Sequence, residues 1–103
     1  MKKTTKPKTK TAKVGLHRGN PRLWFEGQWL AAAGFTPGDN FDCRGQREGG
    51  RLYLVAGEGT RTISQKNGRP VLDVCNAVVT DILGDCDRVN VVVGKGRLTI
   101  TPA

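Results

Sequence analysis

Apolar and polar residues alternate along much of this chain, which predicts short β-strands separated by turns. The clearest case is residues 87–101, where Val89, Val91 and Val93 fall on one face before a Gly-rich turn and a returning strand. Residues 38–56 show a second pair of alternating runs around another Gly-rich turn. Two alternating runs joined by such a turn are typical of a β-hairpin. We therefore predict two hairpins.

A very short helix is predicted ahead of the first hairpin. Residues 29–33 read WLAAA, and Gly34 follows in the position of a glycine that ends a helix. Nucleation makes a helix of this length unstable alone in water. We expect it to be a lid that packs against a sheet.

The chain also contains an internal repeat with an offset of 48 residues. The matched pairs are Leu23 with Val71, Leu30 with Val78, Phe35 with Leu83, Asp39 with Asp87, and Phe41 with Val89. Beyond a hairpin loop that is two residues shorter in the second copy, Arg51 matches Arg97. We predict two halves, residues 14–57 and 60–103, each with the order strand, strand, short helix, strand, strand. A pseudo-two-fold axis would let each half cover the sheet edges of the other.

Length and composition fit one small domain, placed at residues 14–103. The chain has 103 residues, of which 37% are hydrophobic, and contains 14 glycines. It has no apolar run of the roughly 18 residues that cross a membrane and no signal-peptide pattern. We expect a cytoplasmic protein without a membrane partner.

The cysteines do not predict a metal or cofactor site. Cys43, Cys75 and Cys86 are widely spaced, and the chain has one histidine. Zinc sites need closely spaced Cys and His ligands. We expect no cofactor, and buried, reduced thiols at all three positions.

Much of the positive charge lies at the N-terminus. Residues 1–13 contain six lysines and no acidic residue, and the net charge of the whole chain is +8. So polar a segment is predicted to be a disordered tail. It would be either a basic arm that follows phosphates or a solubilising tail without a partner. The lysines are Lys2, Lys3, Lys6, Lys8, Lys10 and Lys13.

The remaining cations are mostly arginines, whose planar fork pairs with phosphate or guanine. Many lie beside glycine, in predicted loops or strand ends: Arg18, Arg22, Arg44, Arg47, Arg51, Arg61 and Arg69. They could form a nucleic-acid face or an ordinary solvated surface, and the sequence leaves both open.

The aromatic residues and the histidine give no catalytic pattern. Trp29 is expected in the core, whereas Trp24 alternates with Leu23 and Phe25, so one side of that strand faces out. His17 is the one imidazole, and a hydrolase needs further positioned groups around its base. We predict that the protein is not an enzyme.

One stretch resembles a known family. Gly27-Gln28-Trp29-Leu30, Ala32-Ala33-Gly34-Phe35 and Gly38 are similar to the Gly-x-Trp-Leu-x-x-Ala-Gly-Phe signature of SymE-type proteins. These belong to the AbrB/SpoVT swapped-hairpin superfamily. The close resemblance covers about residues 21–56, and the second half matches the general pattern of that superfamily.

The resemblance implies a mainly β fold, a swapped-hairpin AbrB-like β-barrel, here built by both halves of one chain. It also implies DNA binding through basic residues at strand ends. SymE proteins are described as SOS-linked toxins for which RNA cleavage or nucleoid condensation is proposed. The positions that match the family's contact segment are Arg18, Arg22, Arg61, Lys66 and Arg69, with Arg44, Arg47 and Arg51 as additional candidates.

We therefore expect a small nucleic-acid-binding protein, with double-stranded DNA favoured over RNA. It would be a regulator, a SymE-like toxin or an accessory factor of a bacterium or mobile element. It would act as a monomeric pseudo-dimer or a homodimer. The alternative is a protein-binding module, such as a phage-style inhibitor, that acts without DNA. Convergence of the arginines on one face would favour DNA, and joint exposure of Leu16 and Trp24 would favour a protein partner.

Overall fold

The computed structural model describes residues 8–103, which form ten strands and two short helices. The elements are β1 (Lys8–Lys13), β2 (Gly15–His17), β3 (Asn20–Glu26), α1 (Gln28–Ala32), β4 (Asn40–Gln46), β5 (Arg51–Ala56), β6 (Arg61–Thr62), β7 (Ser64–Lys66), β8 (Arg69–Val74), α2 (Ala77–Leu83), β9 (Arg88–Gly94) and β10 (Arg97–Pro102). The prediction of a mainly β protein is confirmed.

Two antiparallel sheets share these strands symmetrically. The six-stranded sheet has the order β1-β9-β10-β5-β4-β6, and the four-stranded sheet has the order β2-β3-β8-β7. Exchanging β1–β5 with β6–β10 turns each order into its own reverse, so the first half begins with β1 and not at residue 14, and three strands precede each helix where two were predicted. The chain therefore has a pseudo-two-fold axis that passes between β5 and β10 and between β3 and β8.

Residues of both halves meet at this axis. Leu52 pairs with Ile100 and Leu54 with Leu98 across β5 and β10, and all four side chains are buried. Strand β3 pairs with β8 in the other sheet. Each half thus provides the neighbour that the inner strands of the other half need for their main-chain hydrogen bonds.

The core lies between the sheets and is closed by the helices. Leu30 of α1 and Val79 of α2 are both fully buried in it. Helix α1 packs mainly on β8, while α2 packs on β3 and β4. Both helices are therefore short lids held by packing, because neither is long enough to be stable alone.

From the first hairpin of each half to its helix, the two halves align one residue further apart than the predicted offset of 48 residues. The hairpins β2-β3 and β7-β8 and the helices superimpose Leu23 on Leu72 and Leu30 on Val79, so matching them with Val71 and Val78 was wrong. The same helix register places Leu83 opposite Gly34, so its match with Phe35 was also wrong, whereas the matches of Asp39 with Asp87 and of Phe41 with Val89 hold. Corresponding hydrogen bonds run from the Ile63 N–H to Asp39 and from the Val14 N–H to Asp87. The link from helix to hairpin is one residue shorter in the second half, which shifts the alignment upstream of it.

No closed barrel is present within residues 8–103. The six-stranded sheet ends at β1 and β6, and the four-stranded sheet ends at β2 and β7. The chain passes from one sheet to the other at Val14 and at Ile63, with only a single residue between consecutive strands. These crossings join the sheets covalently, without a ladder of hydrogen bonds that would close them.

The predicted disorder of residues 1–13 is wrong for residues 8–13, and residues 1–7 lie outside the part that the structure describes. Strand β1 pairs with β9 along its whole length. Main-chain pairing does not require apolar side chains, which is why composition did not reveal it. Ala12 packs against the core, and the Lys10 ammonium lies 4.5 Å from the centre of the Trp29 ring.

We predict that Val79→Ala will destabilise the fold more than Val78→Ala. Val79 is fully buried, whereas Val78 is only partly buried against the core. Removing two buried methyl groups and leaving a cavity should cost about 2 kcal/mol at Val79. Urea unfolding of both variants measures this. Equal losses, or a greater loss at Val78, would contradict the register assigned to α2.

Candidate nucleic-acid interface

The outer side of the six-stranded sheet is rich in basic residues. The inward residues of β5, β9 and β10 are Leu52, Leu54, Val89, Val91, Val93, Leu98 and Ile100, so the residues that alternate with them, Val55 and Val92 included, point away from the core. The outward cations, which we call the basic face, are Lys13, Arg44, Arg51, Arg88 and Arg97. Their outward neighbours include Thr9, Thr11, Thr99, Thr101, Asn90 and Tyr53.

Tyr53 lies at the centre of the basic face. Arg44 is directly opposite it on β4, and the Arg97 guanidinium lies 5.4 Å from the centre of its ring. The Tyr53 O–H donates to the Gln46 side chain at 3.0 Å. The ring is thus held in the sheet surface between two arginines.

Negative charge on this face is limited. Among the strand positions of the face, Asp42 is the one acidic residue, and the hydrogen bond from Arg44 at 2.8 Å lowers the pKa of its carboxyl group. Arg44 also contacts Glu58. Arg44 is therefore already paired with carboxylates.

The other cations of the basic face have no ion-pair partner within residues 8–103. Lys13 and Arg88 even lie directly opposite each other on β1 and β9. Like charges in that arrangement repel and destabilise a sheet. A bound polyanion would relieve this repulsion.

Most of the basic residues that the sequence predicted as nucleic-acid contacts lie on the outer side of the four-stranded sheet. There, ion pairs and hydrogen bonds already link them to neighbouring side chains. Arg22 donates two hydrogen bonds of 2.8 Å to Asp73 on the neighbouring strand. Its guanidinium also lies 4.9 Å from the centre of the Trp24 ring. The hydrogen bond from Arg22 lowers the pKa of the Asp73 carboxyl group and raises the pKa of Arg22.

The same chain of contacts continues to Arg69. The Trp24 indole N–H donates to Glu26 at 3.2 Å, and Arg69 donates to the other oxygen of that carboxylate at 3.2 Å. Arg22 and Arg69 thus each have a carboxylate partner. Within the outer face of this sheet, positive charge is largely compensated.

The five predicted residues do not form one surface. Arg18 lies in the β2-β3 turn and Lys66 beside the β7-β8 turn, and these turns are at opposite ends of the sheet because β3 and β8 are antiparallel. Arg61 lies on β6, opposite Phe41 in the other sheet. The predicted arginines therefore divide between two sheets.

The additional candidates and the lysines also divide. Arg44 and Arg51 belong to the basic face, whereas Arg47 lies in the β4-β5 turn and pairs with Asp81. Lys13 joins the basic face, and Lys10 points to the core side. Lys2, Lys3 and Lys6 lie outside the described residues, as does the side chain of Lys8.

Arg88, Arg97 and Tyr53 were not predicted from the sequence as members of a site. The alternation of apolar and polar residues could have identified them, because each occupies a polar position in its strand. Arg97 was also matched to Arg51 by the repeat, which is a sign that the two residues occupy equivalent outward positions.

Within residues 9–103, the two exposed large apolar residues both belong to the four-stranded sheet but do not form one patch. Leu16 is 73% exposed and Trp24 is 44% exposed. Leu16 pairs with the buried Pro21, whereas Trp24 points to the opposite side of β3. Trp29 is partly buried, with its ring edge-on to Phe25 at 6.0 Å.

The three cysteines are free and partly buried. Burial raises the pKa of the Cys43 thiol, which keeps it protonated. Neither helix of the described chain has the length and apolar composition that a membrane crossing requires.

The chain matches no protein-family model, no curated protein and no solved structure. Any function assigned to it therefore depends on the geometry and on the resemblance carried by residues 21–56.

We predict that Asp73→Asn will destabilise the protein at neutral pH but not in acid. The pKa of Asp73 is lowered in the folded state, so its contribution is present above the unfolded value of about 3.9 and is lost as the pH falls through the folded value. Urea unfolding at about pH 7 and about pH 2 tests this, with the exposed Asp85→Asn as control. A difference between Asp73→Asn and the unsubstituted protein that stays constant with pH would contradict the role of the ion pair.

Proposed function

We propose that this protein binds nucleic acid, with double-stranded DNA as the preferred form, through the basic face of its six-stranded sheet. The observation that carries the proposal is the concentration of unpaired cations on that face: Lys13, Arg51, Arg88 and Arg97. It acts as a binding protein and not as an enzyme.

The dimensions of the face suit a polyanion. Six strands at about 4.8 Å spacing span about 24 Å. One DNA strand carries a phosphate about every 3.4 Å, so about seven phosphates could lie across this width. Arginine forks and threonine hydroxyls can all donate hydrogen bonds to phosphate oxygens. Contacts of this kind fix position on DNA without reading its sequence.

We also propose that the two halves are a single-chain form of the swapped-hairpin arrangement. The support is the symmetric strand order and the resemblance of residues 21–56 to SymE-type proteins. In that case the protein is a regulator, a SymE-like toxin or an accessory factor of a bacterium or mobile element.

A second candidate function is recognition of a protein partner through the outer side of the four-stranded sheet. The observation that favours it is the exposure of Trp24, held between Arg22 and Glu26. Division of the predicted arginines between two sheets also favours it. Charge compensation on this sheet makes it a poor phosphate surface.

Substitution of two basic residues on each sheet separates the candidates. We predict that the double variant Arg51→Gln/Arg97→Gln will bind duplex DNA at least about tenfold more weakly at low salt. The slope of log affinity against log salt concentration should become shallower by about 1.8, because two phosphate contacts are lost. Fluorescence anisotropy over a salt series measures both.

The matched control is Lys66→Gln/Arg69→Gln on the four-stranded sheet, which removes the same charge. Its DNA affinity should change much less. A larger loss in the control than in Arg51→Gln/Arg97→Gln would move the interface to the four-stranded sheet. No binding by the unsubstituted protein at low salt would overturn the proposal.

We predict that removal of residues 1–7 weakens DNA binding without abolishing it. This removes Lys2, Lys3 and Lys6 but keeps β1, whereas removal of residues 1–13 would also remove the strand that pairs with β9. The salt slope should fall by at most about 2.7 if all three lysines contact phosphate. Complete loss of binding would show that the basic face does not bind DNA by itself.

A further inference from the structure

One cation of the basic face, Arg44, is held by two carboxylates. Its Nε–H donates to Asp42 at 2.8 Å, and its Nη2 group donates to Glu58. These two donors form one side of the guanidinium fork, on which a phosphate can bind through two parallel hydrogen bonds. A phosphate can therefore use this side of Arg44 only after a carboxylate has left it.

The two carboxylates reach Arg44 in different ways. Asp42 lies two residues before Arg44 on β4, so both side chains point outward from the same strand. The Asp42 carboxylate also accepts a hydrogen bond from the Cys43 N–H at 3.0 Å, which ties it to the strand. Glu58 comes from the loop of residues 57–60, and its side chain is 53% exposed. Glu58 is therefore the partner that can leave by rotation of its side chain alone.

The loop that carries Glu58 is fixed against β4. The Gly57 N–H donates to the carbonyl oxygen of Asn40 at 2.8 Å. Gly59 has a φ of +81°, and a Cβ atom at this position would lie 2.7 Å from the carbonyl oxygen of Phe41. So close an approach requires a residue without a side chain. The main chain on both sides of Glu58 thus holds its carboxylate at the basic face.

This arrangement breaks the pseudo-symmetry of the basic face. Under the pseudo-two-fold axis Arg44 corresponds to Val92, and Asp42 corresponds to Asn90. The outward positions of β9 and β10 hold two arginines and no acidic residue. Carboxylates therefore compensate positive charge on the β4 side of the face and leave the β9 and β10 side uncompensated.

We propose that Glu58 competes with nucleic acid for Arg44: it occupies the guanidinium in the free protein, and a backbone phosphate displaces it on binding. This role of Glu58 rests on the function proposed above, and it adds Arg44 to the contacts of the basic face. Arg44 and Arg97 both lie beside Tyr53, so a nucleic acid that contacts Arg97 brings phosphates close to Arg44. A polyanion supplies several phosphates at once, whereas Glu58 supplies one carboxylate on a half-exposed side chain.

Removal of the Glu58 charge should strengthen DNA binding. Glu58→Gln keeps the length of the side chain, and it should bind duplex DNA about two- to fivefold more tightly at low salt, because phosphate no longer has to break an exposed ion pair. The matched control is Glu48→Gln in the β4-β5 turn, which removes the same charge at a residue without an ion-pair partner in residues 8–103. Fluorescence anisotropy measures both. An equal gain in the control would show a general effect of charge and overturn the proposal.

A double-mutant cycle tests whether the gain depends on Arg44. In an Arg44→Gln background, Glu58→Gln should raise the affinity no more than Glu48→Gln does. The slope of log affinity against log salt concentration should be about 0.9 shallower in Arg44→Gln/Glu58→Gln than in Glu58→Gln, because one phosphate contact is lost. The same gain with and without Arg44 would mean that Glu58 acts by repulsion at a distance, which would overturn the competition.

NMR of the Glu58 side-chain carboxyl carbon reports the displacement itself. On saturation of the unsubstituted protein with duplex DNA, this signal should move towards its position in Arg44→Gln, where no Arg44 guanidinium contacts the carboxylate. A signal that stays in place while DNA binds would overturn the displacement and leave the proposed function intact. Absence of DNA binding by the unsubstituted protein and by every variant would overturn the proposed function and the role of Glu58 together.

Discussion

The antiparallel pairing of β5 with β10, together with that of β3 with β8, is the constraint on which the rest of the fold depends. Each half has inner strands whose main-chain groups are satisfied only by the other half. Neither half could bury its apolar face alone, since a unit of this size lacks a sufficient core. The short helices are stable for the same reason, because they pack on the sheets that this pairing assembles.

The local elements could be predicted from the sequence because their signals are local. Alternation in β9 and β10, the Gly-rich turns and the short helix before Gly34 all correspond to observed elements. Strand β1 could not be predicted in this way, because it is held at the sheet edge by main-chain hydrogen bonds to β9. The one apolar side chain that β1 packs against the core is the small Ala12. The register error has a similar cause. The link between the helix and the following hairpin is one residue shorter in the second half, which moves the match of Leu30 from Val78 to Val79. The composition of the link does not reveal this difference in length.

The candidate interface was harder to predict, since it depends on which residues meet across strands. Arg51 and Arg97 could be placed outward by alternation alone. The neutralisation of Arg22 by Asp73 and of Arg69 by Glu26 could not, because it results from the pairing of β3 with β8. The same non-local pairing brings Lys13 and Arg88 together. Which arginines remain available for a ligand is therefore a property of the assembled sheets and not of any segment.

The central claim is that the outer side of the six-stranded sheet is where nucleic acid binds. The most direct measurement is an NMR titration of the isotope-labelled protein with a short duplex DNA at low salt. We expect the largest amide shifts at Tyr53, Arg97 and Thr99, with small shifts along β3 and β8. Shifts concentrated at Trp24 and Asp73, with the basic face unchanged, would contradict the claim.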